Sequence, residues 1–334
     1  MTRKMDWRIV GLWFAFAVIM LLLPELAKTK IIKTSTLRTI IWAQYLAIFA
    51  MSWDFLSGRT GYISFGHPFL IGIGAYTTAI LSYRFNVPMG ISIPVAVLVT
   101  VLASSMFILP ALRIRGSYFA LVTLAFMELL YQLTQVVRPD LTGGTRGISG
   151  VETMTRGAVN GFYVSFALMF CVALTLWLLN RTRLGSALSA IGMNEDAVSG
   201  LGLNTTKLKL FAFVVSAAVA GLGGAFYVHY LGSVAPRALF DINFVFTIIV
   251  AALIGGSGTI IGPMFGAFLL TFLLEYLRLL ASPGMIASFP PLEYVKPVLQ
   301  GSGRYFIYGM IALVLYMYQP KGVAYIVRNL RKTR

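Results

Sequence analysis

The sequence predicts an all-α polytopic membrane protein of about ten transmembrane helices, arranged as two inverted five-helix halves. Three observations carry this. Hydrophobic residues make up 58% of the 334-residue chain and charged residues 11%, a balance that a water-facing globule does not show. Ten separate stretches are long and apolar enough to cross a bilayer as helices, each of which needs roughly 20 residues with its backbone polar groups bonded internally. Finally, Gly and Pro interrupt the two halves at comparable places. Gly61, Gly66, Pro68, Gly72 and Gly74 do so in the third stretch, and Gly255, Gly256, Gly258, Gly262, Pro263 and Gly266 in the eighth and ninth.

The stretches are 7–26, 39–56, 62–83, 91–112, 117–137, 162–180, 208–231, 242–261, 263–281 and 304–319, forming one transmembrane domain over 1–334. The first follows Arg3, Lys4 and Arg8 and lacks a small-residue cleavage pattern after it, so it reads as a span and not as a removed leader. The net charge of +16 is scattered in ones and twos between apolar runs. That distribution argues against a nucleic-acid partner and for membrane topology plus attraction to anionic lipid. The basic residues bracketing 181–209 and the basic tail 320–334 place both, and the N-terminus, on the cytoplasmic side. The long loops 138–161 and 282–303 then lie outside, and loops of that length usually bind, gate or are disordered. Cys171, the single cysteine, sits in an apolar run, so no intrachain disulfide forms.

Within the third stretch, Pro68 suits a first helical turn, so the helical part is expected to begin there with a free end at His67. Exposed N–H groups at such an end would attract a carboxylate on a solute path; the competing reading has His67 bond a neighbouring carbonyl and shape the break. Gly258, Gly262 and Gly266 at four-residue spacing equally suit close helix packing. Among acidic residues near spans, Asp54 is expected to pair with Arg59 and Glu275 with Arg278. Glu128 has no partner close in sequence and is the leading candidate for a polar pathway, with Ser64, His67, Tyr76 and Thr123 beside it as candidate lining. Tyr227 and His229 read as interfacial anchors.

The inside loop 181–209 has the composition of two short helices. Leu184, Leu188 and Ile191 recur at helical spacing and Gly192 interrupts. Asn194 is a good N-cap, followed by Glu195 and Asp196 where a helix dipole favours acids, and Gly200 and Gly202 supply a stop. Acids there would face anionic headgroups if the pair lay on lipid, so a groove on a soluble partner is the preferred fit.

Several motifs in order resemble a known family. They are the run from Gly58 to His67, Gly72-Ile-Gly-Ala-Tyr76, the segment from Leu112 to Leu124, the loop from Leu141 to Ile148, the 181–209 loop, and the run from Gly255 to Pro263. Together they look like the inner-membrane permeases of branched-chain amino-acid ABC importers, the LivM type. The resemblance implies a type II importer permease with a central path, a second homologous permease subunit, two cytoplasmic ATP-binding subunits that hold ATP and Mg, and a periplasmic substrate-binding protein. It also implies that Gly185, Asn194, Glu195, Asp196, Ala197 and Gly202 belong to the loop that docks on the ATPase. This chain has Asp196 where the general importer motif has Ala, and no Leu-Pro follows. Relatives that carry urea, short amides or other carboxylates leave the solute open. No phosphate-cradling Gly-x-x-x-x-Gly-Lys run, metal-spaced cluster or nucleophile elbow occurs, so no cofactor or catalytic residue is expected in this chain. An ion-gradient-driven secondary transporter, a passive channel and a membrane enzyme are the rival classes.

Overall fold

The computed structural model describes residues 18–25, 33–112, 114, 116–155, 157–280, 303, 307, 309 and 310. Expectations for the first and tenth stretches, for 282–303 and for the tail 320–334 fall wholly or mostly outside them. The described helices are α1 (Thr34–Trp53), α2 (His67–Phe85), α3 (Met89–Ala111), α4 (Ser117–Val136), α5 (Ala158–Arg181), α6 (Arg183–Met193), α7 (Glu195–Gly200), α8 (Thr205–Leu231), α9 (Ile242–Gly255) and α10 (Ile261–Leu280). Among the described residues, seven helical segments are long and apolar enough to cross a membrane. The eighth long helix, α2, is 19 residues and is less apolar because it carries His67, Pro68, Tyr76, Thr77, Thr78 and Arg84, most of which are enclosed by protein.

Helix α1 is the axis of the bundle. Its apolar window is 89% buried where that of α4 is 28%, because α5, α8, α9 and α10 all pack around it. Helix α2 lies against α8, and α3 flanks both. A seam of small and polar residues joins the helices, since a hydroxyl or amide surrounded by apolar groups must find its partner inside the protein. Ser52 of α1 donates to the Ser216 carbonyl of α8 at 2.8 Å, and Gln44 of α1 accepts from Ser165 of α5. The α2–α8 contact is backbone to backbone: a Cβ on Gly74 would collide with the Gly221 backbone. The close-packing reading holds for Gly262 and Gly266, which face Gly255 and Ala251 of α9, whereas Gly258 lies in the turn between α9 and α10.

At one end α1 runs into a π-helical turn, Asp54–Gly58. The expected Asp54–Arg59 ion pair does not form. The fully buried Asp54 carboxylate instead accepts the N–H groups of Gly258 at 2.5 Å and Ile260 at 2.8 Å, pinning the α9–α10 turn under α1. Backbone donors win because the turn presents two of them in one direction, while Arg59 donates to Ser189 instead. The Glu275–Arg278 pair does form, at 3.3 Å. At the opposite end, Ile148–Ser149 (β1) and Ser233–Val234 (β2) form a short antiparallel ribbon that ties the loop after α4 to the loop after α8. No strand was expected there, since two residues are too few to show a period.

Two substitutions test this packing. Gly74→Ala should lower the heat-unfolding midpoint of the purified protein in detergent, by the ~1–3 kcal/mol that overpacking typically costs. Gly90→Ala, whose methyl group meets nothing within 4 Å, should leave it unchanged. Asp54→Ala strands the buried Ile260 N–H at about 1–3 kcal/mol and frees the half-buried Gly258 N–H; the midpoint should fall and limited proteolysis should begin between residues 256 and 260. Uncleaved protein with a wild-type midpoint would contradict the anchoring role.

Candidate functional site

The Asp54 end of the bundle carries the α6–α7 hairpin. Thr182 caps α6 by accepting the Gly185 N–H, and Asn194 caps α7, its Oδ1 accepting the Ala197 N–H at 3.0 Å. Gly202 closes the turn after α7 with φ +81°. Gly192 does not interrupt α6, which continues to Met193; it lets the helix rest on the Arg59 carbonyl, where any side chain would clash. Leu188 and Ile191 are buried against the bundle, while Leu184 is exposed. Met193 and Leu201 stand out from the tip at 88% and 81% exposure, beside the exposed Asp196.

The hairpin sits on residues 59–62. Arg59 Nη1 donates to Ser189 Oγ at 2.8 Å. Next to it, Lys209 at the start of α8 is 3% exposed, and its ammonium donates to Glu195 Oε1 at 2.8 Å, to the Tyr62 hydroxyl at 3.0 Å and to the Leu112 carbonyl at 3.5 Å. Tyr62 in turn donates to Glu195 Oε2 at 2.6 Å, and the ammonium lies 4.5 Å from the centre of its ring. Burial pushes the Glu195 carboxyl up, but the hydrogen bonds from Lys209 and Tyr62 outweigh it and hold it below the usual glutamate value. Glu195 therefore turns inward, whereas Asp196 faces out.

Three backbone donors of the segment leading into α2, those of residues 64–66, are taken by hydroxyls. Ser57 Oγ accepts the Ser64 N–H, Thr123 Oγ1 the Phe65 N–H and Ser64 Oγ the Gly66 N–H. These hydroxyls occupy the donors that a solute carboxylate would need. Helix α2 begins at His67, one residue before the expected start; the ring is buried, with Nε2 3.0 Å from Ser216 Oγ and the Ser52 backbone beside it. Ser64 and Thr123 border a void of only about 10 Å³, at most a single water. Tyr76 is buried and stacks on Phe240. These four residues thus sit inside the bundle wall.

Glu128 lies elsewhere, exposed on α4 in line with Tyr118, Leu121 and Ala125. It does have a sequence-local partner: Gln132, one turn on, donates to Oε1 at 2.7 Å. His229 is not interfacial. It is fully buried, its Nδ1 2.7 Å from the Glu152 carbonyl, so that nitrogen carries the proton and Nε2 faces Thr78 at 2.9 Å. At the end of the bundle opposite Asp54 a cavity of about 940 Å³, bordered by Arg38, Trp42, Asp241, Asn243, Glu275 and Arg278, opens between α1, α9 and α10. The sequence reading missed Tyr62 and Lys209. The available signal was a lysine between Leu208 and Leu210 inside an apolar pattern, a position that demands an acidic or carbonyl partner.

A family model described as branched-chain amino acid transport system / permease component matches residues 35–315. The high-affinity branched-chain amino acid transport system permease protein LivM of Salmonella typhimurium is 30% identical over 260 residues, 69% of this chain and 61% of that protein. The probable branched-chain amino acid transport permease protein LivM of Methanocaldococcus jannaschii is 24% identical over 277 residues, 78% of this chain and 77% of that one. The ribose import permease protein RbsC of Haemophilus influenzae is 30% identical over 216 residues, 62% of this chain and 66% of that one. The chain spans about three fifths of the length of the LivM proteins it matches from Salmonella and Escherichia coli. No solved structure matches. With the family model covering the bundle from the start of α1 to beyond α10, this chain belongs to the branched-chain amino acid transport system permease component family.

Proposed function

We propose that this chain is a permease subunit of an ATP-driven importer of branched-chain amino acids in the bacterial inner membrane, with both termini cytoplasmic. It forms half of a conduit with a second homologous permease. Two ATP-binding subunits grip the 181–209 hairpin, and a periplasmic binding protein delivers solute at the outer loops 138–161 and 282–303. The observation that carries this reading is the hairpin itself: a capped two-helix knob whose base is clamped to the bundle and whose tip presents Met193, Leu201 and Asp196 to solvent. An apolar tip with an acid beside it fits a groove on a soluble partner and has no use in a self-contained ion-driven carrier.

Glu128 supports the pairing. Its carboxylate and the Gln132 amide lie near the middle of α4 on an exposed face, and a charge turned to lipid there costs several kcal/mol in order of magnitude. Protein or water must cover that face, so the second permease and the solute path lie along it. Because ribose permeases share the fold family, the solute is set by the binding protein more than by this wall.

Uptake by the co-expressed complex across branched-chain amino acids, ribose and urea tests the function, with a phosphate-loop mutant of the ATPase as control. Nucleotide-dependent accumulation of the branched-chain amino acids is expected, and this chain alone in vesicles should be inert. Ion-driven accumulation by the chain alone would overturn the importer reading. Changing Met193 and Leu201 together to Asp should reduce recovery of the ATPase with the permease by about tenfold or more, as loss of about 1.4 kcal/mol of contact or more requires. Glu128→Leu should cut uptake by about tenfold, a barrier change of about 1.4 kcal/mol, while ATPase recovery stays at the wild-type level.

A further inference from the structure

The buried Lys209 ammonium gathers parts of four separate elements at one point. Its own backbone belongs to α8, and its acceptors are Glu195 of α7, Tyr62 of the segment before α2, and the carbonyl of Leu112 after α3. Glu195 uses both oxygens here, Oε1 toward Lys209 and Oε2 toward Tyr62, so its carboxylate is spent inside the protein and not on a docked partner. A second set of contacts grips the same segment, with Ser189 accepting from Arg59 and Gly192 resting against Arg59 and Gly61. Beyond Tyr62 the chain reaches α2 within five residues, held by neutral groups: hydroxyls accept the N–H groups of Ser64, Phe65 and Gly66, and the Trp53 indole donates to the Ser64 carbonyl at 2.8 Å.

The two sets of bonds are unequal. Opening the triad strands a charge in a site that is almost closed to water, and a buried ion pair with one partner removed is far more costly than a lost hydroxyl contact. The weaker hydroxyl contacts around residues 64–66 yield first when the hairpin is displaced.

We infer that Glu195, Tyr62 and Lys209 form a latch that makes the hairpin and the start of α2 move as one body. Glu195 is thus a positioning residue for transport and not an ATPase contact. The inference rests on the importer reading for its transport consequence only, because the latch itself is measurable in the isolated chain.

Two measurements decide it. In a Cys171→Ser background, spin labels at the exposed positions Ser186 and Ile63 of the purified full chain should give one narrow distance distribution. Lys209→Met should broaden it, and an unchanged distribution would overturn the latch whatever the chain transports. In vesicles holding the complete complex, Glu195→Gln and Lys209→Met should keep ATPase recovery and stimulated hydrolysis within about twofold, while solute carried per ATP falls about tenfold. The double variant should be no worse than either single one, because both remove a shared interaction. Tyr62→Phe, which spares the ion pair, should lose only about threefold. Loss of ATPase recovery in Glu195→Gln, additive defects, or unchanged coupling would each overturn the assignment. A wild-type complex that carries no solute would sink the importer reading alone, leaving the label distances to judge the latch.

Discussion

The bonds from the Gly258 and Ile260 backbone to the Asp54 carboxylate are the constraint on which the hairpin end of this molecule depends. A carboxylate at full burial persists only if donors surround it. Here the donors come from a turn 204 and 206 residues further along the chain, so satisfying one side chain fixes α9 and α10 against the end of α1. That end is the π-helical turn, and a π-turn widens the helix by one residue per turn, which redirects the chain into 59–62. The hairpin then has a fixed floor to rest on. Arg59, Gly61 and Tyr62 follow directly from the anchored turn, and each meets α6 or α7.

What the sequence displays well is whatever is periodic or local. The long apolar runs mark the bundle helices because hydrocarbon admits few alternatives to a helix. Asn194 caps α7 as read, because a cap is decided within three residues, and the Glu275–Arg278 pair lies within a single helical turn. Long-range partners are the part that stayed hidden. Asp54 has a nearby arginine, and proximity in sequence argued for it, yet two parallel N–H groups brought by folding were the better match. His229 near a helix end looked interfacial because its burial depends on where the loop at Glu152 folds back. Glu128 is the instructive local miss: Gln132 stands at the i+4 position, which helical geometry alone makes a partner. Within the 181–209 loop the residue types were legible and their directions were not. Glu195 and Asp196 are adjacent acids in one first turn, and only the position of Lys209 makes one face inward.

Helix α8 connects these observations mechanically. It carries a buried cation, Lys209, at one end and a buried imidazole, His229, at the other, each bonded to elements outside α8. Between them Gly224 of α8 faces the Ile71 backbone and Gly74 of α2 faces the Gly221 backbone, so the two helices approach without intervening side chains. Two helices in backbone contact interlock poorly, since there are few side-chain knobs to resist sliding, but they cannot separate without opening a void. Their relative freedom is therefore shear, limited at the Lys209 end by the triad and at the His229 end by Thr78, which itself belongs to α2. A displacement of the hairpin would reach α2 at its start, while the far end of α2 stays pinned through Thr78 to His229 of α8 and to the loop at Glu152. The α2 start is also where Thr123 of α4 accepts the Phe65 N–H. Shear at that point works against this one hydroxyl contact, the hold between the start of α2 and the helix whose exposed face carries Glu128. The polar pair on α4 and the acid on α7 are thus two ends of one bonded path, and the least strongly held step along it is a single hydroxyl contact.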